Sequence, residues 1–451
     1  MDNSLPDLVF PAVAGRKIVA RFDGGNLSSD AGLLLLAQAD RKVGLIRSMA
    51  EAITDLRQRG KISHRRDELL SERIFAIACG YEDANDLDDL RGDPLLKIAC
   101  GRRPVSQPDL ASQPTISRME NAVSSKDLLR MGLAIARKVI AQLPADTSEV
   151  VLDVDATDDP CHGQQEFEFY NRFYDAHCYL PLHLYVTGPD GRQWTLASLL
   201  RPGNSSYRPG LLGLLRRAVR LLRERFPSVK IVLRADAGFG YWDTLAFCDA
   251  QKIDYVLGLS KNTRLTTLST PVQTEVWLKH ALEGDGCREY AVRPVWGEFE
   301  YKAGKWPRKR RVVVKAEITQ GKMNPRFIVS SLKTSPEQLY EYYCERGDRE
   351  NRIKEIKLDL KSGRTSCHRF FANQMRLLLH TAASVLMTVL SQAASGTEYA
   401  AAQVGTLRVR LLKVAARVVE SCRRVCFQLA SGYADKGVWF HLNHKLSQPT
   451  A

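Results

Sequence analysis

Apolar positions follow two periods along the chain, and the change falls near Asp146. Before it the spacing is helical. LSSDAGLLLLAQADRKVG predicts a Leu-rich helix with Ser28, Ser29 or Asp30 as its N-cap. Arg65 to Cys79 predicts a second helix, SQPTISRMENAV a turn into a third capped by Thr115, and Ser124 to Ala141 a fourth. After Asp146 short β-branched runs take over. SEVVLDVD (148–155), CYLPLHLYVTG (178–188), RQWTLASLL (192–200), KIVLRAD (230–236) and DYVLGLS (254–260) predict strands. LLGLLRRAVRLLRERF and WDTLAFCDAQK predict helices between the later strands, giving the order β-β-β-α-β-α-β. Residues 262–332 hold short alternating runs and predict a β-rich insertion. A long helix is then expected from Pro336 to Lys361, a second from Phe370 to about Ala394, and a third from Thr406 to Leu429 with Arg410, Lys413, Arg417 and Arg424 on one stripe. The expected domains are a mostly helical region over 1–145, an α/β region over 146–365 and a helical region over 366–451.

Composition narrows the class. At 451 residues and 44% hydrophobic, the chain can bury a large core. Lys plus Arg number 65 against 51 Asp plus Glu, a formal charge of +14, which favours a polyanion as partner, nucleic acid ahead of a membrane. The stretch from Leu377 to Thr397 lacks formal charge but carries several hydroxyl side chains together with His380 and Gln392. It reads as a buried helix, not a bilayer span. No basic segment precedes an apolar run at the N-terminus, and the ten cysteines form no CxxC pair. Those features predict a cytoplasmic protein with reduced thiols. Cys161-His162 and His177-Cys178 lack zinc-finger spacing and read as packing residues. Neither a phosphate-binding loop nor a G-x-S-x-G elbow is present.

The candidate chemistry lies in acids at strand ends. Asp153 and Asp155, two apart on one strand, point to the same face. Asp236 closes another apolar strand and is followed by Gly238 and Gly240. An open α/β sheet binds ligands at its strands' carboxyl ends. On the long helix, Tyr343, Arg346, Glu350 and Lys357 fall on one narrow face at helical spacing. An aromatic, two cations and an acid aimed one way suit a phosphodiester. Three acids from three elements repel one another, and two divalent ions, Mg2+ or Mn2+, remove that conflict and suit in-line phosphoryl transfer.

Those motifs carry a family resemblance. Y-x2-R-x3-E-x6-K stands complete at Tyr343, Arg346, Glu350 and Lys357, with both Asp motifs ahead of it. The chain resembles the DDE transposases of bacterial insertion sequences, in the subgroup named for those four residues (YREK). LDVDATDDPCHGQQ, YLPLHLY, RADAGFGYW, SQPTISRMEN and ANQMRLLLHTAA are similar to insertion-sequence family thirteen-eighty (group 1 DDE domain). The resemblance implies a ribonuclease-H-like α/β core with a β-rich insertion, and a catalytic and metal-binding triad of Asp155, Asp236 and Glu350. It prefers Asp155 because of the following Thr157; Asp153 stays open as the first ligand. It implies cleavage at the element's terminal inverted repeats, transfer of 3′-hydroxyls to target DNA, and a homodimer holding two ends.

The same resemblance places Tyr343, Arg346 and Lys357 on DNA near the scissile phosphate, and one insertion tryptophan, Trp277, Trp296 or Trp306, on a displaced base. Lys354, Lys361, Arg308, Lys309, Arg310, Arg311 and Arg118 are further DNA-contact candidates. So are Arg65, Arg66, Arg102 and Arg103 in the N-terminal region, the expected reader of the repeats. Two alternatives remain: a ribonuclease-H-like nuclease or resolvase without strand transfer, and a non-catalytic DNA-binding derivative of a transposase.

Overall fold

The computed structural model describes residues 7–283, 293–347 and 350–448. By contacts the chain forms two compact units. One comprises Met1–Ala50, Asp55–Met119 and Leu386–Ala451; the other comprises Glu51–Thr54 and Glu120–Val385. Among the described residues no helix is long and apolar enough to cross a membrane.

The second unit is built on an eight-stranded sheet. Its strands are β1 (Glu149–Ala156), β2 (Leu182–Thr187), β3 (Gln193–Leu199), β4 (Lys230–Ala235), β5 (Asp254–Leu259), β6 (Val295–Tyr301), β7 (Arg310–Ala316) and β8 (Arg326–Ser330). They lie in the order β6-β7-β8-β5-β4-β1-β2-β3. The centre, β1-β4-β5, is parallel, and all outer pairs are antiparallel. The crossovers run through helices α1 (Leu211–Arg225) and α2 (Trp242–Gln251). These elements agree with the predicted β-β-β-α-β-α-β order, because continuous β-branched runs at a sheet centre are buried on both faces. Ser125–Ile140 also forms as predicted, with a capping box between Ser124 and Asp127.

Three expectations about elements change. The stretch after residue 262 opens with two helices, Thr263–Leu268 and Thr270–Glu283. Val272 and Val276, one turn apart, pack the second of these on Val295 and Ala316. The strands that follow extend the main sheet outward from β5. The expected single helix over 336–361 is broken into α3 (Pro336–Cys344), a turn at 345–347 and α4 (Glu350–Lys354), continued by a π-turn over Glu355–Asp359. α3 docks by Leu339 and Tyr340 on Val232, Val256, Val313 and Ile328 of the sheet. α5 (Phe370–Ala393) forms as predicted.

In the first unit the expected helix over 406–429 is instead a short helical segment to Leu412 and two antiparallel strands, Ala416–Glu420 and Val425–Leu429. The first of these also pairs with Leu27–Ser28. Its burial alternates with period two, Ala416 and Val418 inward, which a helix cannot satisfy. The stripe Arg410, Lys413, Arg417 and Arg424 therefore does not share a helix. Lys413 instead pairs with buried Asp30 at 2.7 Å and lies over the Tyr81 ring. Leu33–Val43 accordingly starts without a side-chain cap, and Thr115 lies inside helix Gln113–Asn121 rather than ahead of it.

Candidate active site

β1 and β4 run in register, with Arg234 opposite Asp153 and Ala235 opposite Val154. Asp236 follows Ala235, and Asp155 follows Val154, so the two acids leave neighbouring parallel strands at the same level. Strands in a sheet lie about 4.8 Å apart, so the two residues stand side by side at one end of the sheet. Asp155 is partly exposed; its Oδ1 accepts the Ala156 N–H at 2.8 Å. Asp236 caps a short turn, its Oδ1 accepting the Gly238 N–H at 2.8 Å. Burial raises the Asp236 carboxyl above its ordinary range, against the pull of that N–H and of Arg346.

The turn after Asp236 is tight enough to require glycine at two nearby positions. A Cβ at Gly238 would meet the Tyr207 ring at 2.7 Å. A Cβ at Gly258, on β5, would lie 2.6 Å from the Ala237 nitrogen and 2.8 Å from the Tyr343 hydroxyl. Tyr343 is thereby seated beside the Asp236 turn, where burial raises its phenol.

Arg346, in the turn after α3, donates from Nη1 to Asp155 Oδ2 at 3.1 Å, and its charge also reaches Asp236. Lys357, in the π-turn, donates to Asp158 Oδ1 at 2.6 Å and Thr157 Oγ1 at 3.4 Å, just past the end of β1. Tyr343, Arg346 and Lys357 thus converge on the ends of β1, β4 and β5 although the helix carrying them is broken. Glu350 opens α4, and its side chain lies outside the described residues.

Asp153 is placed differently. It is buried one step inside β1, and Arg234 holds it at 2.7 and 3.4 Å. Arg234 is itself fully buried, under the Tyr342 ring, and also pairs with Glu345 at 3.0 Å. Sequence reasoning did not single out Arg234, Tyr207 or Asp158. A signal existed for the first: a charge inside the apolar run KIVLRAD needs a buried partner.

Asp155 and Asp236, at the ends of neighbouring strands, are hard oxygen donors, a set that fits Mg2+ or Mn2+. Among the described residues no three His, Cys, Asp or Glu side chains cluster as a metal site.

The family described as transposase DDE domain group 1 matches residues 10–451. The chain belongs to that family. No curated protein matches it. Membership makes this a DDE transposase domain, a family that acts on DNA and usually uses divalent metal.

The remaining candidates in this DDE domain fall into two groups. Arg118, Lys354, Lys361, Arg308 and Lys309 are exposed. Arg310 is not: it is buried, bonded to Asp249 and to the Tyr255 hydroxyl, and cannot reach DNA without breaking both. Arg311 pairs with Glu298 and caps the Leu332 carbonyl. Trp306 is buried against Tyr301 and beneath Arg310, which withdraws it as a base-stacking surface. Trp296 is partly buried against the core under α3. Trp277 is the exposed member of the three.

Proposed function

We propose that the protein is an insertion-sequence transposase of the YREK type, akin to insertion-sequence family thirteen-eighty, with a ribonuclease-H-like core. It binds terminal inverted repeats, cleaves at the element's ends and joins the freed 3′-hydroxyls to target DNA. One observation carries the reading: Asp155 and Asp236 end adjacent parallel strands, and Tyr343, Arg346 and Lys357, from a distant part of the chain, meet them there.

In this reading Asp155, Asp236 and Glu350 are the catalytic and metal-holding acids. Asp155 is preferred to Asp153, whose carboxylate is committed to Arg234. Two Mg2+ or Mn2+ ions, when bound, supply the Lewis acidity for in-line displacement at phosphorus. Arg346 and Lys357 hold the phosphate's non-bridging oxygens, releasing their present carboxylate partners as the DNA enters. Tyr343 flanks the scissile linkage. Cleavage forms a bond from a water oxygen to phosphorus and breaks the bond from phosphorus to the 3′-oxygen. Joining repeats the displacement with the 3′-hydroxyl as nucleophile. Two copies act together, one at each end.

The test is strand transfer in vitro. The full chain is incubated with Mg2+, labelled duplexes ending in the inverted repeats that flank its coding region, and a target plasmid. Joined products are expected, and Asp155→Ala, Asp236→Ala and Glu350→Ala should each abolish them while keeping end binding. Cleavage without joining would favour a nuclease, and binding without cleavage a non-catalytic derivative. Full activity of Asp155→Ala would undo the assignment.

A further inference from the structure

We propose that the groove between α1 and α2 seats target DNA, gripping its backbone without regard to sequence. The inference rests on the transposase reading above and gives the second duplex a place. Arg216, Arg220 and Arg223 of α1 line one wall of the groove, and Trp242, Ala246 and Ala250 of α2 line the other. The three arginines stand at i, i+4 and i+7, so they share one face of α1. Arg216 and Arg220 are exposed. So is Trp242, the first residue of α2.

The charge on this wall is not cancelled. Arg216 pairs with no carboxylate among the described residues. Arg223 donates to neutral groups, the Gln251 side-chain oxygen at 3.3 Å and the Gln251 carbonyl at 2.5 Å. Two acids line the groove. Asp243 is held by Arg208 at 2.6 Å. Glu224 meets Arg220 at 3.4 Å with both side chains more than half exposed, a pair that contributes little in water. A concave surface of one sign attracts a polyanion.

Spacing and place select the ligand. Arg216 to Arg223 spans roughly 10 Å along the helix axis. Each strand of a duplex carries a phosphate about every 3.4 Å of its axis, so DNA lying along α1 presents about three phosphates to three cations. Beyond its charged residues the lining is aliphatic or aromatic apart from Gln251, which Arg223 already engages. Recognising a terminal repeat requires base contacts, whereas a grip on phosphates suits DNA of arbitrary sequence. β3 runs parallel to β1 and β4 across the intervening β2, so α1 and α2, each following its strand, both begin at the sheet end that carries Asp155 and Asp236. Tyr207, just before α1, abuts Gly238 of the Asp236 turn, and Arg208 bonds Asp243 at the start of α2. The groove therefore opens beside the acids and leads away from them.

Two measurements compare the full-length protein with its Arg216→Ala/Arg220→Ala variant. A random-sequence duplex, titrated across a salt series, should bind the variant about ten-fold more weakly at low salt, with a salt slope smaller by about two counterions. With Mg2+, pre-cut repeat ends and a target plasmid, joining should fall about ten-fold, while cleavage of uncut ends and the thermal midpoint hold. Arg216→Lys/Arg220→Lys should keep both affinity and joining. Unchanged affinity and joining in the alanine variant overturn the proposal. So does an equal fall in end cleavage, which would assign the groove to the element's own DNA. A lysine variant as weak as the alanine one also overturns it, by making the arginines scaffold. Arginine-dependent binding of the random duplex by a wild type that joins nothing would sink the transposase reading, and joining that the alanine variant preserves would sink the groove alone.

Discussion

Asp153 and Asp155 stand two residues apart on one strand, each paired with an arginine, yet the interior and the end of the sheet make different things of them. Inside, Asp153 and Arg234 have side chains 4% and 0% exposed. At the strand end, Asp155 and Arg346 are 20% and 19% exposed, and Arg346 comes from a turn rather than a strand. The inner pair is a fixture, since separating it strands a charge in low dielectric. The outer pair can part, because water or a phosphate can replace either partner. An ion pair's place in the sheet, more than its residue types, decides whether it is fixed or free to open to a ligand.

Asp155→Asn is expected to lower DNA cleavage on the order of a thousand-fold or more, with a urea-unfolding midpoint near that of the wild type. Asp153→Ala should do the reverse, costing about 3–5 kcal/mol of stability by leaving Arg234 buried with less compensation. Urea titration of the two variants side by side measures both; a stable Asp153→Ala protein without activity would exchange the two roles.

A third carboxylate sharpens the contrast. Asp159 is fully buried, neither of its oxygens has a hydrogen-bond partner among the described residues, and burial pushes its pKa up to about 7. A folded-state value above the ordinary one near 3.9 means folding favours the protonated form. That contribution is present below about pH 4 and is lost as pH rises through about 7. Asp159→Asn should therefore gain on the wild type in thermal midpoint between pH 5 and 8; parallel curves would refute this. The smallest effect belongs to Arg346→Gln. It should change stability by less than about 1 kcal/mol and lower the salt dependence of DNA binding by about one counterion, read from affinities across a salt series.

Much of this site was legible because the motifs VLDVD and VLRAD align. Asp153 and Arg234 are 81 residues apart, Asp155 and Asp236 share that interval, and the strands pair in that register. The parallel sheet centre was equally plain from its β-branched runs. The broken helix after Cys344 was not, since Tyr343, Arg346, Glu350 and Lys357 keep helical spacing across the break. Gly347, a poor helix former in mid-segment, was the available signal. Arg310 and Trp306 misled because a cluster of cations around an aromatic looks alike in sequence whether it faces solvent or Asp249. Burial there depends on strand pairing between distant segments.

The three strands β6, β7 and β8, inserted between β5 and α3, have a consequence of their own. β8 hydrogen-bonds along the otherwise open flank of β5, the outermost of the parallel strands. Excising that excursion to obtain a smaller catalytic core would bare the backbone of DYVLGL to any passing strand. A minimal nuclease cut from this chain should therefore self-associate before its chemistry can be assayed.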